Sequence, residues 1–476
     1  ISRTALPADS QISILMASPS LPACSVRRSK PLLVVPAKPT PQELKPLSDL
    51  DDQEGVRCDI PLIMFYRAHP SMAGRDPAAV LRQAIAGALV FYHPLAGRLV
   101  EGPHRKLLVD CTGEGVAFVE ADWDAELEEL GDAVMPPCRK LDDLLYREAG
   151  WEDGVLGRPI VSFQVTRLRC GGFIVGSTII HALCDGAGMV QFLDAIGEIA
   201  RGSHAPSVPP VWRQEIFTAR SPPRVTCVHR EFDEAGTRRR SNGEPRNWAA
   251  GDTVQSSFFF GPKEIQALRS RLPPRLAGST TTSELIVACL FRCRVVALGY
   301  PPDEPVRLSY VLNLRPRLPR DTVPAGYYGN AFIYPAEVAE AGWVCGGQEA
   351  LLEKAVEVAK KAKAQWSEEY VRSITDFLVV NGRRGYATDC NYIVSDVRQL
   401  GFHEVDFGWG RPVYGGPASA FGVISFVVRF RKGDGEDGAV AMICLPAAAM
   451  KRFGEEMKKM TDDPAVFSQK NYYVVK

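Results

Sequence analysis

The chain has 476 residues, of which 46% are hydrophobic and 24% are charged, as is usual for a soluble globular protein of two or three domains. Lys and Arg together number 56, as do Asp and Glu, so the net charge of zero gives no reason to expect nucleic acid or an anionic membrane as a partner. The twelve cysteines include no C-x-x-C pair and no zinc-type spacing, which favours a cytoplasmic protein without a bound metal.

Strands and helices are both predicted in the first half of the chain. Predicted strands span residues 61–67, 106–111 and 116–121, the last two across the turn TGEG, and two more flank Gly171-Gly172. A helix is predicted over 76–92, where Asp76 is a good N-cap and Pro77 is suited to the first helical position. A second, amphipathic helix is predicted over 188–202 and ends at a glycine.

The composition changes after this helix, from about Ser203 to Gly251, where Pro, Arg, Ser and Asn dominate. A structureless stretch of this length is unusual inside a compact domain, so a crossover between two domains is expected. The predicted divisions are an N-terminal domain over 16–205, a crossover over 206–250 and a C-terminal domain over 251–476. Residues 1–15 precede the first Met and are expected to be an artefact or a disordered extension.

Regular structure is predicted again after the crossover. Thr281 and Glu284 have the spacing of a capping box in front of a long apolar helix. Residues 348–366 have the pattern of an amphipathic surface helix. The segments GVISFVVRFRK and GAVAMICLP are predicted strands separated by the polar turn GDGEDG.

The segment HALCDGAG, residues 181–188, is the first candidate for chemistry. His181 stands at the end of a predicted strand, where a neutral imidazole can take a proton from a substrate. The H-x-x-x-D spacing alone arises readily by chance among seven histidines, so a purely structural histidine is the alternative. Cys184 is a weaker candidate as a nucleophile activated by His181, because a small Cys beside Leu183 is typical of a packed core. No G-x-S-x-G elbow offers a serine.

The segment VDFGWGRP, residues 405–412, is the second candidate. Its D-F-G suggests a protein kinase, but the chain lacks the H-R-D-x-x-x-x-N segment, the V-A-I-K lysine and the Gly-rich loop that kinases require. Two glycines flank Trp409 on a tight turn. The indole N–H is a donor that suits an anion, and the alternative is a Trp that packs in a core.

Together the two segments resemble those of the plant BAHD acyl-CoA-dependent acyltransferases, with H-x-x-x-D-G near the middle and D-F-G-W-G near three quarters of the length. Three further segments agree in order and spacing: FYHPLAGRL, VLNLRPRL and GYYGNA. The resemblance runs from about Lys38 to about Met450. The segments AKPTPQELKPLSDLDDQEG, DCTGEGVAFVEAD and SDVRQLGFHEVDFGWGRPVYGGPA are most similar to benzyl alcohol benzoyltransferases and related alcohol acyltransferases.

The resemblance implies an α/β fold of the two-domain chloramphenicol-acetyltransferase type, in which each domain is a mixed β-sheet with flanking helices. The active-site channel would lie at the interface, with His181 midway along it as the general base. Trp409 would donate to the oxyanion. Acyl-CoA would be a co-substrate rather than a permanently bound cofactor, and transfer would pass through a ternary complex without an acyl-enzyme.

The resemblance also assigns roles to residues around the base. Those expected to hold the two loops in shape are Asp185 with Arg315, Asp406 with Arg411, and the glycines Gly186, Gly408 and Gly410. Contacts to CoA are expected at Asn330 and at the helix start formed by Thr281, Thr282 and Ser283, because helix N-termini bind anions. Simple N-capping by Thr281 is the alternative there.

The expected reaction is transfer of a benzoyl or hydroxycinnamoyl group, such as feruloyl or p-coumaroyl, to a benzyl-type alcohol or monolignol. The aromatic residues Phe407, Tyr414 and Phe421 beside the second segment are compatible with such a donor. Three alternatives are an acetyl donor, an amine or polyamine acceptor bound by the acidic segment 48–52, and a non-catalytic relative that only binds its ligands. The protein is expected to be a monomer, with acyl-CoA and a small alcohol as its partners.

Overall fold

The computed structural model of the protein describes residues 25–138, 140–151, 154–232, 253–346, 352–433, 435–461 and 473–474. Two segments with sequence predictions lie outside these ranges. They are residues 1–15, expected to be an artefact or a disordered extension, and residues 233–250, the later part of the predicted crossover.

The strands of the described residues are β1 (Arg27–Arg28), β2 (Leu32–Val34), β3 (Leu44–Pro46), β4 (Asp59–Tyr66), β5 (Arg98–Glu101), β6 (Leu107–Asp110), β7 (Val116–Trp123), β8 (Val161–Leu168), β9 (Phe173–Ile180), β10 (Thr253–Phe260), β11 (Pro305–Tyr310), β12 (Leu312–Asn313), β13 (Phe332–Ile333), β14 (Ala336–Glu340), β15 (Asn391–Asp396), β16 (Tyr414–Pro417), β17 (Ile424–Arg431), β18 (Asp437–Pro446) and β19 (Tyr473–Val474). The α-helices are α1 (Pro77–Leu89), α2 (Leu127–Leu130), α3 (Leu141–Leu144), α4 (Gly186–Ala200), α5 (Pro262–Ser270), α6 (Pro274–Ala277), α7 (Thr282–Leu298), α8 (Ala341–Cys345), α9 (Glu353–Ala364), α10 (Glu368–Val380) and α11 (Ala447–Thr461).

Two large mixed sheets organise the chain. The first has the order β1-β7-β8-β9-β4-β16, with β2 also paired to β7, and the second has the order β14-β11-β15-β17-β18-β10-β19. Parallel pairs are β7 with β8 in the first sheet, and β11 with β15 and β15 with β17 in the second. The predicted α/β class with a mixed sheet in each half is confirmed.

Each sheet has its own core, and a third core joins them. Helices α1 and α4 pack on the first sheet, whereas α7, α9 and α11 pack on the second. The third cluster combines residues of both sheets, among them Phe65 and Ile174 of the first with Phe426 and Met442 of the second. The halves are therefore packed together through an apolar interface.

Helix starts follow the local sequence. The carboxylate of Asp76 accepts hydrogen bonds from the backbone N–H groups of Ala78 and Ala79, and α1 begins at Pro77. Thr281 and Glu284 form the predicted capping box at the start of α7. The predicted caps are confirmed.

Strand pairing departs from the order of the chain in two places. Strands β6 and β7 follow each other across TGEG but do not pair, because β6 joins β3 and β5 in a separate small sheet while β7 pairs with β1, β2 and β8. The division at 251 also fails to separate the halves in space. Strand β16, from late in the chain, pairs antiparallel with β4 and extends the first sheet.

Candidate active site

His181 lies in the turn directly after β9, between the two halves. Its backbone N–H donates to the carbonyl of Cys58, at 2.8 Å, and its own carbonyl accepts from the side-chain amide of Asn330, also at 2.8 Å. Cys58 immediately precedes β4, whereas Asn330 precedes β13 in the second half of the chain. The position of His181 is therefore fixed from both sides by backbone contacts.

The imidazole borders a cavity of about 310 Å³ whose wall contains residues of both halves. Most of the wall is apolar, including Ile60, Leu62, Met189, Phe332, Phe402, Phe421 and Phe426. A cavity of this size, mainly apolar with a few polar groups, is typical of a small-molecule site. His181 is the histidine in this wall.

The environment of His181 keeps its imidazole neutral. Burial lowers its pKa below the ordinary value, although its own carbonyl, the charge of Asp185, the Asn330 amide and the carbonyl of Cys184 act in the opposite direction. Its ring lies 5.4 Å from that of Phe332. A neutral imidazole in a shielded cavity has a lone pair available to accept a proton.

Asp185 is occupied by partners other than the imidazole. Its carboxylate accepts from Arg315 Nη1 at 2.7 Å, from the backbone N–H of Gly188 at 2.9 Å and from that of Ala331 at 3.0 Å. Burial raises the Asp185 pKa, but the Arg315 charge and these hydrogen bonds outweigh it, so the net pKa is lowered. The side chains paired in the sequence analysis thus lie in contact, and Asp185 also caps α4.

Glycines allow close packing around this turn. A Cβ on Gly188 would lie 2.0 Å from the carbonyl oxygen of Tyr328, and one on Gly186 would lie 2.7 Å from Leu400 Cδ1. Neither glycine has a positive φ. The predicted need for backbone freedom at Gly186 was therefore wrong, and close approach of neighbouring atoms is the physical reason for the small residue.

The second loop is held by Asp406. Its Oδ1 accepts from the backbone N–H groups of Gly408, at 2.7 Å, and Gly410, at 2.8 Å, and both glycines have positive φ (107° and 81°). Arg411 does not take part, which corrects the expected role. Its side chain is 72% exposed and its acidic neighbour is Glu404, at 3.7 Å.

Trp409 lies far from His181, so the predicted oxyanion contact is wrong. The indole is 5% exposed and packs edge-on against Phe173, with ring centroids 5.0 Å apart. Phe173 begins β9 and His181 follows its end, so about 25 Å of extended strand separates them at roughly 3.3 Å per residue. The two-glycine turn instead buries Trp409 in the core of the first half.

The start of α7 already contains an anion. The carboxylate of Glu284 accepts from the backbone N–H of Thr281 and from Lys363 Nζ, at 2.9 and 2.8 Å. Burial raises the Glu284 pKa, but Lys363 and the capping bonds reverse this, and its net pKa is lowered. Ser283 donates to Asp396, at 2.7 Å. A CoA contact at Thr281, Thr282 and Ser283 stays a prediction.

Asn330 is fully buried, which rules out the predicted CoA contact. Its side-chain amino group donates to Asp51 Oδ1, at 2.7 Å, and to the carbonyl of His181, and its backbone N–H donates to the same carboxylate oxygen, at 2.8 Å. Asn330 therefore connects the backbone of the histidine turn to a buried acid. The sequence analysis did not identify Asp51 in this role, and no local pattern marks it.

The acidic segment 48–52 does not face the cavity, contrary to the amine-acceptor alternative. Asp49 lies 2.6 Å from Lys106 Nζ, and Asp52 lies 2.8 Å from Arg57. Burial of Asp51 raises its pKa to about 6. These carboxylates stabilise the base of the turn instead of offering a charge to a ligand.

The carboxylates that do border the cavity are paired. Asp59 lies 2.9 Å from Arg158, Asp396 lies 2.6 Å from Arg398, and Asp185 is held by Arg315. An uncharged polar residue, Ser395, also belongs to the wall. The sequence analysis missed Ser395, which lies in β15.

A cysteine nucleophile is incompatible with the surroundings of Cys184. The residue is buried, and burial raises its thiol pKa well above the ordinary value. The reactive thiolate is therefore strongly disfavoured. Within the described ranges, no cluster of His, Cys, Asp and Glu is suited to a metal, and no helix has the length and apolarity needed to cross a bilayer.

Known proteins are similar to this chain in sequence or in fold. A model of the Transferase family matches residues 24–460. Alcohol acyltransferase 16 of Actinidia chinensis var. chinensis is 50% identical over 441 residues, covering 92% of this chain and 94% of that protein. Vinorine synthase superposes with a TM-score of 0.67 at 21% identity, covering 92% of this chain and 98% of that one. The F. graminearum TRI101 complex with coenzyme A and deoxynivalenol gives 0.68 at 14% identity, covering 86% and 96%.

Proposed function

Because the chain belongs to the Transferase family, the BAHD acyl-CoA-dependent acyltransferases, we propose that it transfers an acyl group from CoA to an alcohol in the cavity beside His181. The observation that carries the proposal is a neutral histidine, His181, in the wall of a cavity built from both halves of the chain. The similar Actinidia protein is named as an alcohol acyltransferase, which agrees with this chemistry.

His181 acts as the general base in this mechanism. It removes the hydroxyl proton as the alcohol oxygen attacks the thioester carbonyl and a C–O bond forms. The tetrahedral intermediate collapses, the C–S bond breaks, and the imidazolium returns the proton to the CoA sulfur. A positioned base of this kind contributes on the order of 10²–10⁴ in rate. The inert thiol of Cys184 agrees with direct transfer without an acyl-enzyme.

The oxyanion of that intermediate needs a hydrogen-bond donor near the reacting carbon. Trp409 is buried elsewhere, whereas Ser395, which has a hydroxyl, is one of the residues of the cavity wall. Ser395 is therefore our candidate donor. Removal of one such donor commonly costs roughly 10²–10³ in turnover, so Ser395→Ala should reduce kcat strongly while leaving the fold intact.

The acceptor is a neutral alcohol. A protonated polyamine would need an uncompensated carboxylate in the wall, but Asp59, Asp185 and Asp396 each have an arginine partner. A buried cation without a counter-charge carries a large desolvation cost. The amine alternative therefore has no acidic group to support it among the described residues.

The acyl donor is proposed to be aromatic, such as benzoyl or hydroxycinnamoyl. Of the three aromatic residues considered from the sequence, Phe421 borders the cavity, whereas Phe407 and Tyr414 are buried in cores. The rings of Phe332 and Phe426 add to the same wall. Aromatic side chains favour planar acyl groups through offset and edge-to-face contacts.

That the protein is monomeric and cytoplasmic stays a prediction from the sequence.

A panel assay of CoA release tests the proposal. Benzoyl-CoA, a hydroxycinnamoyl-CoA and acetyl-CoA are each combined with benzyl alcohol, an aliphatic alcohol and spermidine, and the product is identified by mass. We expect CoA release only when an alcohol is present, with the aromatic thioesters preferred. His181→Ala should abolish release. Product from spermidine, a preference for acetyl-CoA, or no turnover with any pair would contradict the corresponding part of the proposal.

A further inference from the structure

At the histidine turn, two buried polar atoms have no hydrogen-bond partner in the structure. One is Nδ1 of His181 and the other is the amide oxygen of Asn330. An unsatisfied buried polar atom costs free energy, and such atoms in a native structure require an explanation. A donor on the imidazole and an acceptor on the amide would satisfy each other.

The orientation of the Asn330 amide is fixed by its other contacts. Its amino group donates to Asp51 Oδ1 and to the carbonyl of His181, which are both acceptors. Exchanging the amide oxygen and nitrogen would place oxygen against oxygen at both contacts. Asp51 is itself held, because its second carboxylate oxygen accepts from the hydroxyl of Ser48, at 2.5 Å, and from the Ser48 backbone N–H, at 3.3 Å. The oxygen of Asn330 is thus left as an acceptor.

The geometry points to Asn330 as a positioning residue, and we propose that, anchored by Asp51, it fixes the tautomer of His181 by accepting the Nδ1 proton. Nδ1 is buried, so the nitrogen left to meet the substrate in the cavity is Nε2. With the proton on Nδ1, Nε2 carries the lone pair that a general base needs. The inference rests on the proposed acyl transfer only for its effect on rate.

The His181 pKa agrees with this arrangement. Burial lowers this pKa overall, whereas hydrogen bonds with the carbonyl of His181 itself and, to a smaller extent, with the Asn330 side chain act to raise it, because acceptors for a ring N–H stabilise the imidazolium. The Asn330 amino group also holds the carbonyl of His181 in place, so both acceptors near the ring depend on Asn330. Catalytic hydrogen bonds are often long before substrate binds and shorten in the reacting complex. The Asn330 amide, which already contacts the carbonyl of His181, is therefore placed to accept from Nδ1 in the reacting complex.

The neighbouring residue strengthens the positional argument. The backbone N–H of Ala331 donates to Asp185, while the side chain of Asn330 donates to the carbonyl of His181. One dipeptide from the second half therefore holds both ends of the His-to-Asp turn. Of the two, only Asn330 reaches the residue that carries the imidazole, so its loss should alter chemistry as well as stability.

The tautomer can be measured directly in the unaltered protein. Long-range proton–nitrogen correlation spectra of ¹⁵N-histidine-labelled protein distinguish protonated from bare ring nitrogens, and His181→Ala assigns the signals. We expect His181 to carry its proton on Nδ1 with Nε2 bare. A proton on Nε2 in the resting enzyme overturns the proposal. This measurement does not depend on acyl transfer, so it separates failure here from failure of the proposed function.

Variants then link the tautomer to rate. Asn330→Ala should lower kcat by about ten- to a hundredfold, change the KM for acyl-CoA less than about twofold, and give a mixed tautomer signal. Asn391→Ala is the matched control, because Asn391 is also buried and bonded to Ala387 and Ser309 but does not border the cavity. It should lower stability without changing kcat or the tautomer.

A second variant covers the case in which Asn330→Ala does not fold. Asp51→Asn keeps the volume but removes the carboxylate that orients the Asn330 amide. We expect it to give a mixed tautomer and a fall in kcat in the same direction. An unchanged tautomer and kcat in a folded Asn330→Ala or Asp51→Asn protein would show that these residues only hold the turn, and would overturn the proposal.

Discussion

Replacing Asp185 by Asn should destabilise the protein by about 3 kcal/mol. Asp185 is 8% exposed, and its carboxylate accepts three hydrogen bonds, from Arg315, Gly188 and Ala331. An Asn has one acceptor oxygen, so it must turn its amino group toward another donor and leave the Arg315 guanidinium without a counter-charge. Removing one partner of a buried pair costs roughly 3–5 kcal/mol. We expect the lower end, because Arg315 also donates to the carbonyls of Tyr327 and Gly329.

Urea unfolding of Asp185→Asn, Arg315→Gln and the double variant measures this effect. The two single changes should be non-additive, with a coupling energy of about 1–3 kcal/mol, since each removes the same contact. The pKa of Asp185 is lowered in the folded state, so its stabilisation is present above the unfolded pKa and is lost as the pH falls. The stability gap between wild type and Asp185→Asn should therefore narrow below about pH 4.

Two results would refute this reasoning. Additive single changes would mean that the 2.7 Å contact contributes no coupling free energy. Full stability in Asp185→Asn, combined with a shifted pH profile of CoA release, would mean that Asp185 acts on the imidazole of His181. The structural role would then be replaced by a catalytic one.

Three further outcomes are expected. Trp409→Phe should change kcat less than about twofold and only lower the melting temperature, because the indole packs on Phe173 far from the cavity; a hundredfold loss of kcat in a folded protein would restore the oxyanion role. Burial raises the pKa of Asp51 to about 6 in the folded protein, above its value in the unfolded chain. The contribution of Asp51 to stability is therefore complete below the unfolded pKa and is lost as the pH rises through the folded pKa. Between pH 4 and 7, the free energy of unfolding of wild type, measured in urea, should fall by about 3 kcal/mol relative to that of Asp51→Asn. A difference between the two proteins that does not change with pH would contradict the raised pKa. Gly188→Ala should lower the free energy of unfolding in urea by roughly 1–3 kcal/mol, since the added Cβ would clash with the Tyr328 carbonyl. Gly278→Ala is the control, because a Cβ there has no atom within 4 Å. Equal losses of stability in the two variants would refute the steric argument.

The sequence by itself determined the features that depend on near neighbours. The Asp76 cap, the capping box at Thr281 and the position of His181 at the end of a buried strand all involve partners within a few residues. Such signals can be recognised because hydrogen bonds between residues two to four positions apart leave a spacing in the chain. The contact between Asp185 and Arg315, 130 residues apart, was expected from the family resemblance rather than from spacing.

Tertiary structure alone decided where distant segments meet. Trp409 and His181 belong to motifs of equal prominence, yet β9 places them at opposite ends of one strand. Asn330 was expected at a CoA phosphate and is instead buried between Asp51 and the His181 turn. Pairing of β16 with β4 crosses the boundary predicted between domains. The physical reason is that burial and sheet pairing depend on the packing of segments hundreds of residues apart, which leaves no periodic mark in the local sequence.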